Sequence, residues 1–180
     1  MFRCTTHITP ERPSPDERFV FDPEGHDTNS LTGGIVSELM AGSHVTFAMT
    51  LFGREVVLRD RVPLTDVIWD LLRLTDALDS GSPPEFELMF HQQGGLMLTL
   101  TFTIAGDDVI VTGENPSGEF IPWGADPPVE RKSRASVAAE LRKVGAAVLM
   151  AGVAIGSESV GHPLVKEWAR RVKIPPLEAA

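Results

Sequence analysis

The stretch 63–114 constrains the fold most, because its hydrophobic periodicity switches from that of a helix to that of a strand. Leu64, Val67, Ile68, Leu71, Leu72, Thr75 and Leu78 recur at three- and four-residue spacing, and Thr65-Asp66 supplies an opening turn. This spacing predicts an amphipathic helix over 64–78. Asp79-Ser80-Gly81 closes it, and Pro83-Pro84 forbids continuation. The period then becomes two. Leu96, Leu98, Leu100, Phe102 and Ile104 alternate with Met97, Thr99, Thr101 and Thr103, giving a strand with one oily and one polar face. A helix with one apolar stripe and a sheet with one apolar face bury each other, which predicts an α+β core.

Around that core the chain reads as an antiparallel meander with one inserted helix packed on its apolar face. A short strand is expected over 18–22 and a polar loop over 22–29. Residues 35–40 are expected as a strand, followed by a turn at Ala41-Gly42-Ser43. Val45, Phe47, Met49 and Leu51 then alternate with Thr46, Ala48 and Thr50, and Gly53-Arg54 turns the chain into 55–61. After the helix, Phe86, Leu88 and Phe90 face one way, and Glu85, Glu87, Met89 and His91 the other. Gln92-Gln93-Gly94-Gly95 and Gly106-Asp107-Asp108 make the next two turns. Residues 115–128, rich in Gly and Pro, are expected as a loop. Ser133 or Ser136 caps a long helix, and Pro163 opens a shorter one bearing Leu164, Val165, Trp168 and Val172. In domain terms, 1–17 reads as an extended arm, 18–173 as a single domain and 174–180 as a tail.

Lys and Arg number 16 against 25 Asp and Glu, so the net charge is −9. Phosphate backbones and anionic lipid repel such a chain, so neither nucleic acid nor a membrane is expected as partner, whereas a basic protein would be steered toward it. One cysteine, Cys4, excludes an internal disulfide and a thiolate zinc site. The N-terminus lacks the apolar stretch of a secretory signal, and the apolar run 144–156 is shorter than the ~20 residues that cross a bilayer. The expected compartment is cytoplasmic.

No catalytic pattern stands out. Asp22, Glu24, His26, Asp27 and Asn29 gather several metal-ligand types, but Gly33-Gly34 interrupts the twelve-residue frame of oxygen ligands that a calcium loop needs. His7, His26, His44, His91 and His162 are dispersed, with no pair spaced for one helix face. The 156–161 stretch, Gly-Ser-Glu-Ser-Val-Gly, lacks the spacing of a nucleophile elbow. No catalytic residue, metal or cofactor is therefore expected.

Two surfaces remain as candidates. Glu85, Glu87 and His91 project together beside Thr99 and Thr101, forming an acid-and-hydroxyl face suited to a protein partner. The run 144–156, rich in Gly and Ala, is apolar all round, so it is either buried on both sides within its own domain or covers a second subunit. On the second reading Val148, Ala151 and Gly152, with Trp168, are candidate contacts in a homo-oligomer. The segment P-L-T-D-V-I-W-D-L-L-R-L-T-D-A-L-D-S-G, followed by E-F-E-L and the Gly-Asp hairpin, resembles small actinobacterial domains similar to immunity proteins of polymorphic toxin systems. That resemblance spans about 62–114 and implies an acidic cytoplasmic protein that binds and masks another. The leading expectation is a non-enzymatic protein-binding module that occludes a basic partner. Alternatives are an assembly protein oligomerising through its C-terminal helices, and an enzyme or small-ligand protein with a pocket between helix and sheet lined by Trp69 and Phe90.

Overall fold

Two antiparallel sheets and four α-helices make up the computed structural model, which describes residues 2–20, 27–58, 61–92, 95–114 and 128–174. The fold is α+β. The first sheet has the order β1 (Arg3–Thr9), β2 (His44–Leu51), β3 (Arg54–Leu58), and the second the order β4 (Glu85–Gln92), β5 (Gly95–Ala105), β6 (Asp108–Glu114), β7 (Val129–Ser133). The helices are α1 (Thr28–Gly42), α2 (Arg61–Ser80), α3 (Arg134–Ile155) and α4 (Pro163–Arg171).

The central helix and the strands around it follow their periodicity. Leu64, Val67, Ile68, Leu71, Leu72, Thr75 and Leu78 are all buried on α2. Gly81, at φ 80°, takes the left-handed conformation that ends that helix without a Cβ penalty. Arg134 satisfies the last carbonyls of α2, donating from Nε to Leu78 O at 2.5 Å and from Nη2 to Asp79 O at 3.1 Å. In the second sheet Leu88, Phe90, Leu98, Leu100, Phe102, Val109 and Val111 form one buried face. The helix α2 lies against β4, while α3 lies against β1 and reaches β6 and β7. The Phe2 and Phe102 rings meet edge-on at 6.2 Å, and the Phe52 N–H donates to Glu130 Oε2 at 3.2 Å, so the two sheets share one core.

Several expectations are corrected. The strands divide between two sheets instead of forming one meander. Residues 35–40, expected as a strand, lie within α1. Asp27 caps this helix by accepting the Ser30 N–H at 2.7 Å, and Leu31, Ile35 and Leu39 stack four residues apart on its buried side. Its glycines, which read as strand punctuation, serve close packing. A Cβ on Gly34 would stand 2.6 Å from the Phe19 ring, and one on Gly42 would stand 2.5 Å from Glu11 O. The first part of the expected N-terminal arm is β1, paired from Arg3↔Thr50 to Thr9↔His44. Residues 18–20 form no strand, and 129–133, expected ahead of the long helix without structure, form β7. The expected strand at 21–22, most of the loop after it, the loop 115–127 and the tail 175–180 lie outside the described residues.

Candidate functional site

The outer face of the second sheet is set by its register. Glu85 pairs with Thr103, Glu87 with Thr101 and Met89 with Thr99, and Thr101 in turn pairs with Thr112 of β6. Side chains directly opposite share a face, so acids, hydroxyls and one thioether form a continuous surface across β4, β5 and β6. Glu85 and Glu87 are exposed, and Met89 retains 40 % of its accessible surface. Thr99 and Thr101 are half-buried between their neighbours. Glu85 Oε2 accepts from Thr103 Oγ1 only at 3.5 Å, and neither Glu85 nor Glu87 has an ion-pair partner among the described residues. At the far side of the sheet Arg131 is paired with Asp108 at 3.3 Å, and Val129 is exposed. Of the expected surface, Glu85, Glu87, Thr99 and Thr101 are thus brought together. The His91 side chain lies outside the described residues; its backbone follows a register shift between Phe90 and His91.

Burial places the expected oligomer contacts elsewhere. Val148 is 1 %, Ala151 5 % and Trp168 4 % exposed, all covered by the chain itself. Gly152 faces inward, where a Cβ would meet Val160 Cγ2 at 2.6 Å and Ile35 Cγ2 at 2.9 Å. Gly152 therefore lets α3 approach α1 and the short turn Glu158–Gly161, and Val148, Ala151, Gly152 and Trp168 present nothing to a second copy. The large apolar side chains that α3 exposes are Met150 and Val153.

Trp69 and Phe90 do not share a pocket. Phe90 is sealed in the core, whereas Trp69 lines an open cleft of about 720 Å³ between α1 and α2, with Phe19, Asn29, Gly33, Asp66 and Arg73. The Trp69 indole donates to Asn29 O at 3.1 Å, and a Cβ on Gly33 would stand 3.2 Å from its ring. Arg73 lies over both the Trp69 and Phe86 rings, at 5.8 and 5.7 Å from their centroids, and pairs with Asp70 at 3.0 Å. Burial pushes the Asp70 carboxyl above its ordinary range, with Arg73 pulling the other way. The indole is thus held on one side by helix backbone and on the other by a neutralised guanidinium, which is the arrangement of a packed helix contact. Sequence periodicity set Trp69 beside the α2 stripe but carried no sign of the cleft, which depends on α1.

Among the described residues no group of three or more His, Cys, Asp or Glu is placed to hold a metal ion, and no helix is long and apolar enough to cross a membrane. Comparison with known proteins returned no matching family model, no matching curated protein and no matching solved structure.

Proposed function

We propose that this chain is a non-enzymatic protein-binding module that presents the outer face of β4 and β5 to a basic protein partner. The observation that supports it best is the pair of exposed carboxylates, Glu85 and Glu87, without an ion-pair partner among the described residues and set in register against Thr103 and Thr101. Two like charges on alternate residues of one strand stand about 6–7 Å apart, close enough for both to act on one incoming cationic surface. The net charge of −9 adds long-range attraction for such a partner. This reading also fits the resemblance to immunity proteins, which implies masking of another protein in the cytoplasm.

The test is to recover the bound protein from the source cell and to measure its association with the wild type and with Glu85→Lys/Glu87→Lys. Both sites are exposed, so folding stability should move by no more than about 0.5 kcal/mol. Association at low salt should slow by about tenfold, because peripheral charges act chiefly on encounter. An unchanged rate would overturn the assignment.

A further inference from the structure

The hydrogen-bond phase of the second sheet says which backbone groups of its edge strand are free. Ile104 N–H donates to Pro84 O at 2.7 Å, which makes residues 84 and 104 a hydrogen-bonded pair. Antiparallel ladders alternate bonded and non-bonded pairs, and the register from Glu85↔Thr103 to Phe90↔Leu98 is unbroken. Phe86, Leu88 and Phe90 therefore turn their backbone groups to β5. Glu85, Glu87 and Met89 turn theirs to the other side, where β4 has no neighbouring strand among the described residues. Their side chains stand on the exposed outer face, so amides, carbonyls and carboxylates are offered along the same rim.

We propose that the partner's contact is an extended basic segment that adds to this edge as a fifth strand. The inference rests on the protein-binding reading above and specifies its geometry. Backbone pairing to Glu85, Glu87 and Met89 supplies the ladder, and alternate side chains of the added strand fall on opposite faces of the sheet. On the outer face they meet the two glutamates, which calls for Lys or Arg. On the inner face they lie beside Phe86, half-buried beneath the Arg73 guanidinium, which calls for apolar residues. The recognised segment thus alternates basic and apolar residues. A second copy of this chain is a poor occupant, because antiparallel pairing of two β4 edges sets glutamates opposite or diagonal to one another. The register shift after Phe90 ends the regular edge, so the segment is short.

The probe is the blocked peptide acetyl-(Lys-Val)4-amide, added to the full chain at low salt and followed by amide hydrogen exchange. Exchange at Glu85, Glu87 and Met89 should slow at least tenfold with saturating peptide, and a peptide with Glu in place of Lys should leave it unchanged. Met89→Pro removes an outward N–H without breaking a bond to β5, and should weaken peptide binding at least tenfold. Met89→Ala, which keeps the N–H, should stay within threefold. Charge-dependent binding with the three amides unaffected would overturn edge addition and leave the face reading standing. Binding indifferent to Glu85→Lys/Glu87→Lys would overturn both. Absence of peptide binding, or slow exchange at these amides that rises with protein concentration and no peptide, would also overturn the inference. The exchange measurement is made on the wild type, so it decides the matter even if Met89→Pro fails to fold.

Discussion

Two glycines on α3 give the same substitution opposite signs. A Cβ at Gly152 would stand 2.6 Å from Val160 Cγ2 and 2.9 Å from Ile35 Cγ2. Both neighbours are buried and β-branched, at 7 % and 0 % exposure, so neither methyl has a free rotamer to retreat into. Overpacking of this kind costs about 1–3 kcal/mol, while replacing an interior helical glycine with alanine returns about 1 kcal/mol. Gly152→Ala should therefore destabilise, by up to about 2 kcal/mol. At Gly145 the obstacle is one side chain, Ile174, with its flexible tip Cδ1 at 2.6 Å and Cγ1 at 3.4 Å, and the other neighbour, Leu72 Cδ2 at 3.6 Å, is an ordinary contact. Gly145→Ala should fall between neutral and about 1 kcal/mol more stable. Urea or thermal unfolding of the two variants checks this. In a chain of this size the expected gap corresponds to several degrees in Tm, since 1 kcal/mol moves it by about 2–4 °C. Gly152→Ala more stable than the wild type would refute the packing of α3 on α1 and the Glu158–Gly161 turn.

Asp27 and Cys4 supply two further tests. Hydrogen bonds from the Ser30 N–H and hydroxyl hold the Asp27 carboxyl below its ordinary value, so its contribution is present at neutral pH and is lost as pH falls below about 4. Asp27→Ala should lower stability at pH 7 by about 0.5–2 kcal/mol and show a shallower acid-side decline in a pH series of unfolding curves. Burial, with the Glu140 carboxylate adding to it, pushes the Cys4 thiol well above the ordinary thiol range. Alkylation at pH 8 should then proceed only as fast as the fold opens, and labelling on the timescale of a free thiol would contradict the burial of β1 against α3.

What could be read from the residues follows from where each element buries its surface. The helix α2 and the strands β4, β5 and β6 each have one wet and one dry side, so their periods show plainly, and with them the Glu85–Glu87 face. The helix α1 buries Leu31, Ile35, Val36, Leu39 and Met40 over a broad surface, and its glycines are there for Phe19, Trp69 and the 11–13 backbone. Its periodicity was blurred and its punctuation misleading. In α3 the all-round apolar run signalled close packing correctly, but which neighbour supplies it, Ile35 and Val160 here, is a property of tertiary arrangement. The order of strands is likewise non-local. Nothing in 85–92 announces that β4 is an edge, or that β7 would close the other side of its sheet.

The pairing of β1 with α3 has a consequence for how the molecule is made. Cys4 N–H donates to Glu140 Oε2, joining positions separated by 136 residues. At about 5–20 residues per second, α3 leaves the ribosome on the order of ten seconds after β2 and β3. During that interval the three-stranded sheet exists without its cover, with Cys4, Val45, Phe47 and Met49 on the bare side. A nascent chain of this protein is therefore at its stickiest midway through synthesis, and that interval is when a holding chaperone matters most to its yield.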